Sequence, residues 1–238
     1  MTAPLSSLTI AIPAFNEAPR VAAVVTDSLA ALAACATRGE VLVLDDGSTD
    51  GTLDIIQSLA KNNSEVRSLF HKSNLGFPHS LRELLRHARG DWVAFIPADG
   101  QISPAEVLKL VARVTAHDIV IGRRWPRRDS WKRRWMARLY NAGVSVIIRQ
   151  RLTDVDGPFL IRRAILDGLP WRTESLFIQA ELCAQARLHG FTITQVTIAH
   201  RPRAGGASRA VHWGSVWSAL RDMARYWSSR HTPTETPR

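Results

Sequence analysis

Carboxylate and amide side chains follow three short apolar runs of the sequence, each within a few residues of the end of the run. They are Glu17, the pair Asp45 and Asp46, and Asp99 with Gln101. A single carboxylate in such a place is often a helix cap or a solvated loop residue. Three such places in succession favour a shared site, because oxygen ligands bind Mg²⁺ or Mn²⁺ together with the oxygens of a phosphate compound.

The elements that must position these side chains alternate between strand and helix. Short apolar runs with β-branched residues predict strands at residues 8–12, 41–44, 92–96 and 118–122, and residues 67–71 are a further candidate strand. The stretches between them predict helices at residues 21–36, 52–61, 77–89 and 105–115. This alternation predicts an α/β fold with a mostly parallel sheet. Ligands of such sheets bind beyond the carboxyl ends of the strands, which is where the polar side chains fall.

After residue 122 the sequence becomes rich in arginine and tryptophan. It predicts an amphipathic helix at 136–151, a polar turn at 154–159, a helix at 175–189, a strand at 192–198 and a basic, Trp-rich helix at 211–228. We therefore expect a main domain of residues 1–210, which includes the basic segment 123–151. An amphipathic helix at 211–230 and a flexible tail at 231–238 are expected to follow it.

Length and charge limit the possible functions. The chain has 238 residues and a formal net charge of +10, which suits one α/β domain and indicates an anionic partner. Cys35 and Cys183 are far apart in sequence and predict neither a disulfide framework nor a zinc site, so a reducing compartment fits. No nucleic-acid recognition motif accompanies the charge, and nucleic acid is not an expected partner.

Targeting signals are not expected from the sequence. Residues 1–7 lack the pattern of a signal peptide, and no uninterrupted apolar stretch approaches the roughly 18 residues of a membrane span. We expect a cytoplasmic protein that meets a membrane by lying on its inner face.

Five motifs, in order along the chain, resemble those of the family-two inverting glycosyltransferases with the GT-A fold. They are IPAFNE at 12–17, DDGSTDGT at 45–52, NLG at 74–76, ADGQ at 98–101 and DIVIGRR at 118–124. Within that family the chain most resembles the polyprenyl-phosphate sugar synthases, such as dolichyl-phosphate mannose synthase, from about residue 8 to about residue 208. The resemblance implies a Rossmann-like sheet flanked by helices, with peripheral amphipathic helices. It also implies a GDP- or UDP-sugar donor, a polyprenyl phosphate acceptor and a divalent metal, Mg²⁺ or Mn²⁺.

The resemblance further implies roles for the matching residues. The nucleotide-sugar site would comprise Pro13, Ala14, Asn16, Glu17, Asp46, Gly47, Ala98, Asp99, Gln101, Arg203 and Ser208. Within it, Asp46 would accept hydrogen bonds from base N–H groups, and Asp99 and Gln101 would hold the metal. Catalytic roles would fall to Asp99, Arg124, Asp156, Glu181 and Arg203. The chain departs from the family pattern at Pro97, where the first Asp of the DxD motif usually stands.

The expected chemistry depends on the acceptor. A phosphate acceptor is already anionic and needs no general base, so catalysis would consist of positioning and of neutralising the diphosphate that leaves. Arg124 is the expected contact to an acceptor or donor phosphate. A hydroxyl acceptor would need a carboxylate base, for which Glu181 and Asp156 are the candidates. A third hypothesis, suggested by Pro97, is an inactive module that binds nucleotide sugars.

The tryptophans point to a membrane surface. In the C-terminal helix, apolar residues recur at helical spacing between arginines: Trp213, Val216, Trp217, Leu220, Met223 or Ala224, and Trp227. Trp125, Trp131 and Trp135 lie in a similarly basic segment. A helix with such a face is typical of an anionic bilayer interface. Packing of the tryptophans into the core or a dimer interface is the alternative.

Overall fold

The computed structural model describes residues 3–126, 131–169, 173, 175–202 and 213–229. The expected tail at 231–238 and the site residues Arg203 and Ser208 lie outside these ranges.

One seven-stranded sheet, in the order β3-β2-β1-β4-β6-β5-β7, forms the centre of the molecule. Its strands are β1 (Leu8–Ala14), β2 (Gly39–Asp45), β3 (Val66–Phe70), β4 (Trp92–Phe95), β5 (Ile119–Arg124), β6 (Phe159–Arg162) and β7 (Ile193–Ile198). Strand β6 lies antiparallel between β4 and β5, while every other pairing is parallel. The carboxyl ends of all strands except β6 therefore lie along one side of the sheet, and this side is the sheet edge referred to below.

The helices cover both faces of the sheet. They are α1 (Ala18–Cys35), α2 (Thr52–Asn62), α3 (Phe77–His87), α4 (Val107–Val111), α5 (Trp131–Ile148), α6 (Arg163–Gly168), α7 (Ile178–Leu188) and α8 (Trp213–Ser229). Successive strand residues point to opposite faces, so neighbours such as Val41 and Leu42 enter different clusters. One core cluster joins the sheet to α1, α2 and α4, and the other joins it to α3, α5, α6, α7 and α8.

The fold class predicted from the sequence is confirmed, and several elements differ in detail. The polar turn at 154–159 leads into β6 and α6, which the sequence did not predict. The helix expected at 105–115 is a 3-10 turn (Pro104–Glu106) followed by the short α4. The helix expected at 136–151 begins earlier, at Trp131, and the one expected at 175–189 begins at Ile178.

Helix α1 is the described helix that is long and apolar enough, by length and composition, to cross a membrane. Its residues Val21, Val25 and Leu32 are buried in the core against the sheet, as in the core helix of an α/β domain. Cys35 at its end and Cys183 in α7 are free, buried thiols. Burial raises the pKa of Cys35 to about 11 and that of Cys183 to about 12. Both thiols therefore stay protonated at neutral pH.

Candidate active site

The loops that follow β1 and β2 are tied together by hydrogen bonds. The backbone N–H of Asn16 donates to Oγ of Ser48 (2.9 Å), and Oδ1 of Asn16 accepts from the N–H of Thr49 (2.8 Å). The N–H of Glu17 donates to Oγ1 of Thr52 (2.9 Å). Asn16 has a φ of 54°, in the left-handed region that asparagine tolerates better than most residues. The polar residues of the 45–52 motif thus fix the backbone of the neighbouring loop.

Asp50 supplies the cap that α1 lacks within its own sequence. Its Oδ2 accepts from the N–H of Ala18 (3.2 Å), while Oδ1 accepts from the N–H (3.1 Å) and hydroxyl (2.5 Å) of Thr52. Burial acts to raise the pKa of Asp50, but the hydrogen bonds from Thr52 and Ala18 outweigh it and hold that pKa below its ordinary value. Asp50 therefore remains ionised beside the positive end of the helix.

The other residues expected near the nucleotide lie at the same edge of the sheet. Pro13 is half-buried and Ala14 is buried at the end of β1, and the carbonyl of Ala14 accepts from the N–H of Asp46 (2.8 Å). Glu17 is buried and forms an ion pair with Arg20 (3.0 Å). The carboxylate predicted for this pocket is therefore held by a cation of α1.

Asp46 is a buried residue at the end of β2 whose carboxylate makes three polar contacts. Its Oδ1 lies 2.7 Å from Nδ1 of His71 and accepts from the N–H of Leu75 (2.9 Å). Its Oδ2 accepts from the N–H of Gly76 (2.8 Å). Sequence reasoning did not identify His71. Its position directly after β3, at the same sheet edge as Asp46, is the signal that could have found it.

Asp45, next to Asp46, is fully buried. Its Oδ2 accepts from the N–H of Ser48 (3.0 Å), whereas its Oδ1 has no hydrogen-bond partner among the described residues. A buried carboxylate oxygen without a donor is costly, by about 1–3 kcal/mol. Asp45 thus fixes the turn at Ser48 through one of its two carboxylate oxygens.

Asp99 and Gln101 form a tight turn beyond β4. Oδ1 of Asp99 accepts from the N–H of Gln101 (3.0 Å), and both side chains are partly exposed, while Ala98 is buried. Gln101 also contacts the segment that follows β7, because its backbone carbonyl accepts a hydrogen bond from the N–H of Arg201 (2.8 Å). Its Nε2 lies 3.4 Å from the carbonyl of Arg201. This contact joins the turn to the segment that follows β7.

The turn suits a metal shared with a ligand. Among the residues that the structure describes, no group of three or more His, Cys, Asp or Glu side chains could hold a metal ion. Asp99 and Gln101 offer a carboxylate and an amide, which are oxygen donors that Mg²⁺ accepts. Mg²⁺ is commonly held by one or two carboxylates together with substrate phosphates, so this donor set fits a metal that arrives with a diphosphate.

Arg124 lies at the end of β5 in a bidentate pair with Asp154. Its Nε and Nη2 donate to the two carboxylate oxygens at 2.9 and 2.6 Å, and its backbone N–H donates to Oδ2 (2.9 Å). Asp154 is 2% exposed. The guanidinium that the sequence suggested as a phosphate contact is therefore oriented by a buried carboxylate.

A cavity of about 710 Å³ opens beside this pair, between the end of β5 and α5. Its wall includes the arginines Arg123, Arg124, Arg138 and Arg151, together with apolar residues such as Ala142 and Leu152. Arg138 and Arg151 belong to the basic segment 123–151, but the sequence did not predict that they line a cavity with Arg124. The concentration of positive charge suits a phosphate group, and the apolar wall suits a hydrocarbon chain.

The turn that precedes β6 packs tightly against β5. The N–H of Gly122 donates to the carbonyl of Pro158 (2.6 Å), and a Cβ at Gly157 would lie 2.1 Å from the carbonyl oxygen of Gly122. Only glycine fits at position 157 without moving the backbone. Asp156, in the same turn, is exposed.

Glu181 belongs to α7 and is buried, where its Oε2 accepts from the N–H of Thr173 (2.9 Å). In this position it holds the segment before α7. The catalytic roles of Glu181 and Asp156 remain predictions.

Known proteins resemble this chain in both sequence and structure. Residues 9–169 match the family model described as glycosyl transferase family 2. An undecaprenyl-phosphate 4-deoxy-4-formamido-L-arabinose transferase of Pseudomonas fluorescens (strain SBW25) is 29% identical over 239 residues, which cover 98% of this chain and 67% of the relative. Its namesake from Pseudomonas aeruginosa (strain LESB58) is 31% identical over 215 residues, with coverages of 87% and 61%. This chain thus spans about three fifths to two thirds of the length of these relatives.

Solved structures share the fold. Glucosyl-3-phosphoglycerate synthase from Mycobacterium tuberculosis, crystallised with Mn²⁺, UDP and phosphoglyceric acid, superposes with a TM-score of 0.71 at 19% identity. The superposition covers 97% of this chain and 80% of that one. Mannosyl-3-phosphoglycerate synthase from Rubrobacter xylanophilus gives a TM-score of 0.66 at 19% identity, with coverages of 97% and 77%. With the sheet order and the family match over residues 9–169, these findings show that the chain belongs to glycosyl transferase family 2 and has the GT-A fold.

Proposed function

We propose that this protein transfers a sugar from a nucleotide-diphospho-sugar to a polyprenyl phosphate at a membrane surface, with a divalent metal and with inversion at the anomeric carbon. The observation that carries the proposal is the pairing of two sites on one sheet edge. The Asp99–Gln101 turn beyond β4 offers oxygen donors, and the cavity at the end of β5 offers arginines beside an apolar wall. Relatives that are named undecaprenyl-phosphate transferases support the same acceptor class.

The donor would lie along the edge from β2 to β4. Its base would enter the pocket near Pro13, Ala14, Asn16, Glu17 and Asp46, and its diphosphate would reach Asp99 and Gln101. The metal, when bound, supplies positive charge to the diphosphate that leaves. Arg203 and Ser208 would contact the same diphosphate, and their positions lie outside the described residues.

The acceptor would place its phosphate in the arginine-lined cavity and its hydrocarbon chain toward α5. Arg124, held by Asp154, presents a fixed positive charge at the end of β5. A phosphate oxygen is a sufficient nucleophile without a general base, so attack depends on alignment with the anomeric carbon. Attack opposite to the departing diphosphate inverts the configuration at that carbon.

Membrane attachment would use the exposed apolar faces of α5 and α8. On α5, Trp135, Leu139 and Val146 recur at helical spacing and are exposed. On α8, Trp217 and Leu220 are exposed. Arginines flank both faces, as in helices that lie on anionic bilayers. We propose on this basis that the protein is peripheral at the cytoplasmic face of the membrane.

Turnover with matched substrates tests the proposed activity. A panel of GDP- and UDP-sugars is incubated with undecaprenyl phosphate and Mg²⁺ or Mn²⁺, and release of the nucleoside diphosphate and formation of the lipid-linked sugar are measured. We expect one donor to be used, and we expect chelation of the metal to stop the reaction. The variant Asp99→Ala should lower the rate at least a hundredfold, because the diphosphate then departs without its metal.

Asp54→Ala is the matched control, since Asp54 lies in the first turn of α2 and belongs to none of the predicted site residues. Its rate should equal that of the wild type. Transfer to a soluble glycan with no transfer to the lipid would favour the hydroxyl-acceptor hypothesis, and binding without turnover of any pair would favour the inactive module.

A further inference from the structure

His71, directly after β3, has no role in the proposed reaction, yet it makes a close polar contact in the region where the nucleotide is proposed to bind. Its Nδ1 lies 2.7 Å from Oδ1 of Asp46, and the two side chains are 13% and 5% exposed. The carboxylate is an acceptor, so Nδ1 carries the proton of this hydrogen bond. A buried hydrogen bond to a charged group contributes more than an exposed one, which makes His71 a strong restraint on Asp46.

The remaining contacts of Asp46 leave one acceptor position open. Oδ1 receives two donors, Nδ1 of His71 and the N–H of Leu75. Oδ2 receives one donor among the described residues, the N–H of Gly76. A carboxylate offers about four acceptor positions, two on each oxygen. Oδ2 therefore keeps a position for one further donor.

The surroundings hold this carboxylate in place. The N–H of His71 donates to the carbonyl of Asp45 (2.9 Å), which joins the segment after β3 to the end of β2. Gly47 has a φ of 69°, and a Cβ there would lie 2.5 Å from the carbonyl carbon of Ser73 and 2.7 Å from the nitrogen of Asn74. The segment thus packs directly on the turn that follows Asp46.

We propose that His71 is a positioning residue that fixes the Asp46 carboxylate, so that the open position on Oδ2 accepts a ring N–H of the donor's nucleobase. The inference rests on the proposed function, in which Asp46 accepts from the base of a GDP- or UDP-sugar, and it adds the residue that fixes this carboxylate. Uracil and guanine carry an N–H at the ring nitrogen of their pairing edge. Cytosine and adenine present an unprotonated nitrogen there, which would face the carboxylate with a lone pair. The site therefore selects uridine or guanosine diphosphate sugars against cytidine and adenosine ones.

Calorimetric titration of the full chain with UDP, GDP, CDP and ADP, in the presence of Mn²⁺, tests this inference. We expect the wild type to bind UDP or GDP at least tenfold more tightly than CDP and ADP. His71→Ala should weaken binding of the preferred nucleotide about tenfold and leave CDP and ADP nearly unchanged, because the oriented hydrogen bond alone is lost. The decisive quantity is the ratio of the affinity for UDP or GDP to the affinity for CDP and ADP. A fall in this ratio indicates a positioning role, whereas an equal loss of affinity for all four nucleotides indicates a general loss of structure.

Two further variants sharpen the result. His71→Asn should restore the ratio, because its amide nitrogen takes the place of Nδ1, whereas His71→Gln should not. His87→Ala is the control, since His87 is an exposed histidine of α3 whose ring contacts Glu83, and it should match the wild type. If His71→Ala fails to fold, the comparison of His71→Gln with His71→Asn decides the question.

The outcomes distinguish the inference from the proposed function. A wild type that prefers UDP or GDP, together with His71 variants that keep the same ratio, would overturn the positioning role and leave the proposed transfer intact. A wild type that binds none of the four nucleotides would overturn the proposed function and this inference with it.

Discussion

The pair between Arg124 and Asp154 concentrates three hydrogen bonds on one buried carboxylate. Each of these donors would be left without its acceptor if the carboxylate were removed. The loss would fall on the backbone of β5 as well as on the guanidinium, because one of the donors is the N–H of Arg124. Asp154 thus supports both the fold of the strand end and the direction of its arginine.

Asp154→Ala should therefore destabilise the protein by about 3 kcal/mol, in the range observed when one partner of a buried ion pair is removed. Urea denaturation followed by circular dichroism measures the change. Asp167→Ala is the control, because Asp167 is exposed and lies 3.7 Å from Arg163 in a surface pair. It should change the stability by less than about 1 kcal/mol. Equal effects of the two substitutions would contradict the role given to Asp154.

Single residues could be predicted from the sequence more readily than their contacts. The motifs identified the acidic loops at the strand ends, and the structure has Glu17, Asp46 and Asp99 at one sheet edge. The contact of Asp46 with His71 was not predicted, because His71 lies 25 residues further along the chain, in the loop after β3. A hydrogen bond between distant segments depends on the register of the sheet, which no local pattern encodes.

Helices α5 and α8 pack on each other and leave their other faces exposed. A Cβ at Gly143 of α5 would lie 3.3 Å from the sulfur of Met223, and Met223 packs on the core. Of the two residues that the sequence offered for the outer face of α8, Ala224 is the exposed one. Tyr226 packs on Phe177, with ring centroids 5.8 Å apart, and fixes the helix against the domain.

The double substitution Trp135→Ser and Trp217→Ser should weaken binding to vesicles of phosphatidylcholine and phosphatidylglycerol by at least tenfold. These side chains are 58% and 69% exposed, and each would bury a large aromatic surface in the bilayer interface. Sedimentation measures the bound fraction, which for the wild type should fall as salt increases.

Phe70→Ser provides the control, because Phe70 is equally exposed but lies on β3, the outermost strand on the side of the sheet away from β5 and β7. A wild type that stays in the supernatant at low salt would show that these faces do not bind membranes. Loss of a dimer in the double variant would instead assign them to a subunit interface.

Elements with a strong apolar pattern were predicted, whereas β6 and α6 were not. Strands β1, β2, β4 and β5 each coincide with an apolar run in the sequence. Strand β6 begins at Phe159, which the sequence assigned to the polar turn at 154–159, and α6 has six residues, too few for a helical period to emerge. Strand β6 forms because its neighbours β4 and β5 supply hydrogen bonds on both sides.

The end of the sheet opposite the candidate site is closed by polar side chains that join distant strands. Glu40 accepts from the hydroxyl of Thr9 (2.9 Å) and pairs with Arg67 (2.6 Å). Asp118, before β5, accepts from the N–H and hydroxyl of Thr192 and pairs with Arg162 (3.2 Å). These contacts tie the molecule together at the end where no ligand is proposed.

Stability should depend on pH through Asp118. Burial acts to raise its pKa, but the hydrogen bonds from Thr192 and the charge of Arg162 outweigh it and lower the pKa of Asp118 below its ordinary value. A lowered pKa adds stability above the pKa of the unfolded chain, and this stability is lost as the pH falls through the lower, folded value.

Asp118→Asn should therefore destabilise the protein by about 1 kcal/mol at pH 7, with a difference that shrinks below about pH 4. Urea midpoints measured from pH 7 to pH 3 provide the measurement. Asp27→Asn, at an exposed position of α1, is the control and should show little difference at any pH. A difference for Asp118→Asn that grows as the pH falls would contradict this linkage.

The antiparallel strand β6 separates β4 from β5, so the strands that lead to the Asp99 turn and to Arg124 lie two strand spacings apart, about 10 Å, instead of one. Under the proposed function, the outgoing diphosphate occupies one end of this gap and the incoming phosphate the other. The Coulomb energy of repulsion between two anions halves when their separation doubles. Under the same proposal the inserted strand would act as a spacer that lets both anions bind at once, and its width would set the room available to the sugar ring that passes between them.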